Sequence, residues 1–504
     1  MTTLVEKPAV SGTRNEPGGA FQAVLALSLF ESRRLLTRIP VLLAFTVYLG
    51  WTVWRAGRAW GDYPVLQDAD RATQGAPMLV GLAVLLSVNQ AALRSRRHGT
   101  ERHFAVLVLP HWCRTVAHAL SVVAAALVTA VCVAGQFGRE ALRPGAIGQG
   151  SVAELLVGPL TVLLFGLAGL LVAGLVRSAL VAPLLVVLFL FLFLFFSGLD
   201  YRARWLLPAV EEASTNTLPS DLMGRPAAWH ALYLAGLALL LGLVAVLVSG
   251  GRKPAVFAGV AGALALTLVG GVAQSAGDSP ELVEARERAT VHPEQVQSCV
   301  RRDGSTYCAF PEWGPRVGDW AAVVDRVRSL AGGSAHEQDV VVRQRVDARY
   351  GLSGDAALDP LKRPHEVTVG TQWGGNRVPE FSAAVAGVLI AGDEKAATSI
   401  CDGRIVPLMW LAVGWESDPL DALRRVRLND TVTGSDSVLQ PTNGLYMTEA
   451  QTEVLRALLD LPRAEAGARV EDRWDELTAP KITAARAAGL LGLPAPEGED
   501  KCLS

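Results

Sequence analysis

Residues 181–198 read VAPLLVVLFLFLFLFFSG, without a charge and without a polar face. A soluble helix buries one apolar stripe and wets the other side, so a helix apolar all round belongs in lipid. The rest of the chain carries the same signal: 51% of its 504 residues are hydrophobic, only 19% are charged, and the mean hydropathy is +0.32. A bilayer core of about 30 Å takes about 20 residues of helix. Seven segments approach that length: 39–57, 77–93, 116–137, 155–176, 179–198, 230–249 and 255–275. Residues 276–504 read as ordinary globular sequence, long enough for a core of their own. The expected fold class is mainly α: a polytopic helical membrane bundle of six helices plus a seventh, then a mostly helical domain in which the Cys299–Cys308 stretch and HEVTVGTQW are extended.

Arginine and lysine set the orientation. With the N-terminus in the cytoplasm, the inner segments 1–38, 94–115, 177–178 and 250–254 hold thirteen of them, and the outer loops 55–76, 138–152 and 199–229 hold eight. That bias is the one that keeps loops in the cytoplasm. An odd number of spans then exports residues 276–504. Cys113 and Cys132 fall in the inner loop and a span, whereas Cys299, Cys308, Cys401 and Cys502 all lie in the exported domain, where an even set suggests bridges. Cys299 and Cys308 flank Asp303-Gly304, a hairpin turn signal, and are expected to pair; Cys401 and Cys502 are then partners by elimination. Four buried thiols are the alternative.

Residues 1–20, with Pro8, Gly12, Pro17, Gly18 and Gly19, read as a disordered lead-in without a cleavable signal. Residues 21–38 set Phe21, Val24, Leu25, Leu29, Leu35 and Leu36 against Glu31, Arg33, Arg34 and Arg38. This is the pattern of an interfacial helix at the inner surface, or else the frayed start of the first span. In the seventh helix (251–275), Ala255, Gly259 and Ala263 form a small-residue stripe suited to close packing, although an alanine-rich composition yields the same spacing.

The densest charge lies in RSRRHGTERHFAVLVLPHWCR (94–114), which holds five arginines and three histidines between two apolar spans. Topology explains part of it. The apolar FAVLVLP within it also makes the segment amphipathic, able to present a sticky face to a partner. RRHGTERHFAVLVLPHWCRTVAHAL resembles the R-R-x-G-T-E, L-P, R-T signature of ABC-2 type transporter permeases, especially actinobacterial ones. The resemblance covers residues 21–250: an interfacial helix, then six spans (39–250) with a longer outer loop between the fifth and sixth. It implies that Arg96, Arg97, His98, Gly99, Thr100, Glu101 and Phe104, ending at Leu109 and Pro110, form a coupling helix that docks on a separate cytoplasmic ATPase. It also implies a second permease chain, identical or different, in the plasma membrane. The seventh helix and the outer domain depart from that layout, and a chain cut after residue 250 is expected to keep the six-helix unit.

Other chemistry is not indicated. G-x-x-x-x-G-K-[ST] occurs nowhere, so ATP and Mg2+ are expected in the partner, with no cofactor or metal in this chain. No acid is expected inside the spans: Glu154 lies at a span's edge and the acids of the outer loops are read as wetted, which disfavours an ion relay. His336-Glu337-Gln338-Asp339 lacks the second histidine of a zinc-protease motif, no nucleophile elbow occurs, and His292 and His365 stand alone, so no catalytic residue is assigned. Glu312, Trp313, Trp320, Trp373 and Trp410 read as packing residues. A net charge of −2 gives no nucleic-acid signal. The expected function is that of a membrane subunit of an ATP-driven exporter, with lipid and protein partners. A receptor or enzyme merely anchored by the helices is the alternative.

Overall fold

The computed structural model describes residues 17–58, 63–99, 109–176, 178–197, 204–210, 217–353, 358–372, 377–426, 436–439 and 444–501. Thr100, Glu101, Phe104, Trp373 and Cys502 lie outside the described residues. Helix α1 (Pro17–Leu36) leads into α2 (Ile39–Arg58), and α3 (Leu66–Arg71) into α4 (Gly75–Ala92). The bundle is completed by α5 (His111–Ala141), α6 (Val152–Leu175), α7 (Val181–Ser197), α8 (Ala227–Val248) and α9 (Pro254–Gln274).

Among the described residues, six stretches are long and apolar enough to cross a membrane: 39–57, 66–92, 111–141, 152–175, 227–248 and 254–274. The chain is a multi-pass membrane protein. The most apolar run, in the fifth expected segment, forms the 17-residue α7, about 26 Å at 1.5 Å per residue and shorter than those six among the described residues. Val176 has already left the helical region and the Ser178 hydroxyl accepts from the Leu180 N–H, so this helix starts late. It packs through Phe189 and Phe193 on Met78, Leu82 and Phe165.

Glycine lets the long helices meet backbone to backbone. A Cβ on Gly169 would stand 2.4 Å from the Leu85 carbonyl oxygen, and one on Gly270 would stand 2.6 Å from the Tyr233 nitrogen. Neither position can carry a side chain without parting the pair. Of the stripe expected on α9, Ala263 is buried and Gly259 faces Leu243, whereas Ala255 is exposed. On α1, Val24, Ser28, Ser32 and Leu35 recur at helical spacing and turn inward, with Val24 against Cys113 and Ala117 of α5. Phe21, Leu25 and Leu29 of the same helix face outward.

After α10 (Pro280–Val291) the chain forms a mixed sheet that takes in both stretches expected to be extended, set among the helices that the periodicity suggested. Its order is β1 (Ser298–Arg302), β2 (Ser305–Ala309), β3 (Val341–Gln344), β4 (Glu366–Val369), with β1 antiparallel to β2 and the other pairs parallel. The hairpin is the expected one: Cys299 stands opposite Cys308 and is bonded to it. Asp303 (φ 50°) and Gly304 (φ 83°) both take the positive φ that a two-residue turn of this hand requires. Cys401 is also disulfide-bonded, and its expected partner, Cys502, is outside the described residues.

Helix α11 (Val317–Ser329) carries the chain from β2 to β3, burying Trp320, Val324 and Val327 on one stripe. Beyond β4, α12 (Arg377–Ala391) and the wholly buried α13 (Ile405–Val413) supply the centre of the core, with Trp313, Trp320 and Trp410 as its largest side chains. Further helices follow between Pro419 and Leu491. This core does not stop at the domain's own sequence. Ile147, Leu218, Leu222 and Met223, from loops that join the membrane helices, are buried in it, and Tyr63 and Val65 pack against it. The domain is therefore fused to one end of the bundle.

Candidate functional site

The opposite end of the bundle carries the basic segment. Past Leu93 the chain continues as a helical turn, Arg94–Arg97, through hydrogen bonds from the Arg97 and His98 amides to the carbonyls of Leu93 and Arg94. Gly99, at φ 65°, ends it, as a left-handed glycine ends many helices. Pro110 is the N-cap of α5, and Leu109 packs beside Val24, Cys113 and Ala117. The described part of the expected coupling segment thus forms two rigid anchors, 94–99 and 109–110. The Glu31 carboxylate of α1 takes both terminal nitrogens of Arg94 at 3.4 Å, and Thr115 of α5 donates to Ser249 at 2.7 Å. Lys253 stands 4.6 Å over the Trp112 ring. These contacts tie α1, α4, α5 and the α8–α9 turn together at this end.

Between those elements lies a cavity of about 600 Å³. One part of its lining, among the described residues, is polar, with the basic side chains of Arg94, His98, His111, Arg114 and His118 and the carboxylate of Glu31. The other is apolar, made by Leu27 and Phe30 of α1, Ala91 and Ala92 of α4, and Leu170 and Ala173 of α6. His98 and Leu109, the residues at the two edges of the basic loop, both line it. Its size is that of a site for a small organic molecule.

The domain end is built differently, around buried charge. Arg225 donates to Glu154 through Nε at 2.7 Å and through a terminal nitrogen at 3.2 Å, with both side chains almost fully buried. The Gln74 amide also donates to Glu154, and its oxygen accepts from the Val210 N–H at 3.4 Å. The Ser151 N–H donates to the Asp70 carboxylate at 2.7 Å. Arg225 further lies 4.9 Å over the Trp205 ring, whose edge meets His230, and His230 contacts Gln274 of α9 at 3.0 Å. Asp70 and Glu154 are only 2% and 3% exposed, so the reading of such acids as wetted is corrected. The described parts of these loops fold under the domain instead of into water.

The network continues into the domain. Gln67 donates to the Leu218 carbonyl and to Glu312, both at 3.0 Å, and the Ser220 N–H donates to the same Glu312 carboxylate. Arg286 of α10 donates to the carbonyls of Leu222 (2.7 Å) and Met223 (2.8 Å) and pairs with Asp278 at 2.6 Å. Arg316 stacks 4.1 Å over Tyr63, and burial pushes its guanidinium down from the usual range while Asp319 pulls it back. Glu312, expected to be a packing residue, is a junction residue. The chain gives little local sign of this set, because Gln67, Asp70, Gln74, Glu154 and Arg225 lie in three separate stretches of sequence. The spacing of Gln67, Asp70 and Gln74 at helical intervals ahead of an apolar run is the one available hint.

Compared with known proteins, the chain matches no protein-family model, no curated protein and no solved structure. The likeness in residues 96–120 therefore rests on those residues alone.

Proposed function

We propose that the chain is the membrane subunit of a transporter, with its basic-loop end in the cytoplasm docked on a separate ATPase, and that it works paired with a second permease chain. One observation carries this reading: the cavity opens where the R-R-H-G-T-E loop departs and returns, with His98 and Leu109 in its wall. A partner that grips the loop would pull directly on that wall, so motion in the partner changes the shape of the space between α1, α4, α5 and α6. The lack of a phosphate-cradling loop in the chain requires the energy to come from elsewhere. On the far side, the domain roofs the bundle through the Glu154–Arg225 and Gln67–Glu312 contacts, a position from which it can gate release. The direction of transport is outward on this reading.

The test is recovery of the complex. Arg97→Glu with Glu101→Arg should abolish co-purification of the ATPase while membrane insertion and the yield of the chain stay at the parent level. Undiminished recovery of an ATPase with the double variant would refute the docking site.

A further inference from the structure

Strand β1 (Ser298–Arg302) stands at the edge of the sheet, paired to β2 on one side only. Which of its backbone groups are free follows from the hairpin register. The two-residue turn Asp303-Gly304 makes Arg302 and Ser305 a hydrogen-bonded pair, so Val300–Tyr307 and Ser298–Ala309 are hydrogen-bonded too, and Arg301–Thr306 and Cys299–Cys308 are not. The 4.0 Å between the Cα atoms of Cys299 and Cys308 is the close spacing of such a non-hydrogen-bonded pair. The N–H and C=O groups of Cys299 and Arg301 therefore point away from β2, and no described residue bonds to them. All five residues of the strand are exposed, Val300 to 53%, so the edge is open.

An open edge is ordinarily blunted by a proline, a bulge or a charge turned into the pairing. β1 has no proline, its register with β2 runs unbroken over five pairs, and the Cys299–Cys308 disulfide fastens it there. Its two arginines sit together at one end and are answered within the domain: Arg302 lies 3.4 Å from Asp303, and Arg301 lies 3.9 Å from Asp339. They call for no acidic partner. The order of residues then selects the occupant. Laid antiparallel to itself about Val300, SCVRR sets Ser298 against Arg302 of the partner copy, Cys299 against its Arg301 and Val300 against its Val300. No arginine faces an arginine, whereas a parallel pairing in register would stack both. The free backbone groups match as well. Cys299 and Arg301 each offer one donor and one acceptor, and in this register they meet the acceptors and donors of Arg301 and Cys299 of the partner copy. A twofold axis through that point makes the edge complementary to itself.

We infer that β1 is the docking edge for a second copy of this chain, the two sheets joining antiparallel about Val300 into one. This deepens the transporter reading, on which it rests for a paired permease, by making the second chain an identical one and naming where the two meet. A five-residue edge is small beside the roughly 800 Å² per partner of a stable interface, so the pairing acts between chains already confined to one membrane.

The test is cross-linking in isolated membranes that hold the full-length chain. Val300→Cys, oxidised with copper phenanthroline, should give a covalent dimer at least tenfold faster than Val283→Cys, which is equally exposed on α10. Differently tagged Ser298→Cys and Arg302→Cys chains expressed together should cross-link with one another at least tenfold faster than either does with itself. Arg301→Pro removes an outward N–H and leaves the ladder to β2 whole, so in the Val300→Cys background it should cut the dimer at least tenfold while the chain elutes like the parent. Equal rates for Val300→Cys and Val283→Cys, a dimer that survives Arg301→Pro, or a Val300→Cys adduct whose mass shows another protein would overturn the inference. Dimer formation without recovery of an ATPase counts against the transporter reading alone, and ATPase recovery without the dimer counts against the edge pairing alone.

Discussion

Replacing Arg225 with methionine tests whether the domain and the bundle are locked by buried charge. The Arg225 and Glu154 side chains are 3% and 4% exposed, so water cannot take over when one partner goes. Removing one member of such a pair costs about 3–5 kcal/mol, because the remaining charge stays buried and unpaired. The stack on Trp205 is lost as well, worth about 0.5–2 kcal/mol. Removing both charges at once is far milder, since a neutral pair of similar volume avoids the desolvation that opposes the ion pair. In Glu154→Gln with Arg225→Met, Gln74 can still donate to the new amide oxygen. Denaturation in mixed micelles, followed by tryptophan fluorescence, should therefore show a large drop for Arg225→Met and recovery of most of it in the double variant. A single variant within the 0.5 kcal/mol of an ordinary surface change would refute the reasoning, as would a double variant losing the sum of the two singles.

Cutting the chain after residue 250 should give a chain that aggregates in detergent, contrary to the six-helix unit implied for residues 21–250. It uncovers Leu218, Leu222 and Met223, roughly 5–9 kcal/mol of buried apolar side chain, and strips α9 from α8; a monodisperse, protease-resistant product on size-exclusion chromatography would show the boundary to be real. In the C-terminal domain, burial raises the Glu394 carboxyl above the usual carboxylate range, against the hydrogen bonds it accepts from the Leu361 and Thr368 amides. Its contribution is fully present below the ordinary carboxylate range and is lost as pH rises through the raised value, so the parent should lose stability relative to Glu394→Gln as pH rises from the ordinary carboxylate range of about 4. Thermal melts of the two across that range that stay parallel, or converge in the opposite sense, would contradict this.

What was legible in the chain follows from how local each signal is. The bundle could be read because a helix in lipid shows its apolarity in every residue, and the Cys299–Cys308 hairpin because two cysteines and an Asp-Gly turn stand within ten residues of one another. The sheet was harder. VVRQ at β3 is too short to establish an alternation, whereas β4 lies within HEVTVGTQW, the stretch expected to be extended. The start of α7 was less legible, because composition does not say where a helix begins, and here the extended Val176 and the Ser178 hydroxyl set it at Val181. The junction was least legible of all. Glu154 and Arg225 are 71 residues apart, and Gln67 and Glu312 are 245 apart, and nothing within a window of sequence announces such partners. The cavity has the same character: its cations were visible in residues 94–114, but its apolar wall belongs to other helices.

The proposed orientation puts the basic loop and its cavity on the cytoplasmic face and the disulfide-bonded domain outside. Labelling with a membrane-impermeant maleimide tests this most directly, in a chain with Cys113→Ser, Cys132→Ala and Arg97→Cys. On intact cells the domain cysteines should react only after a reductant is added, and Arg97→Cys should react only after the membrane is permeabilised. Labelling of Arg97→Cys on intact cells, with the reduced domain cysteines protected until permeabilisation, would invert the molecule and remove the ATPase docking site with it.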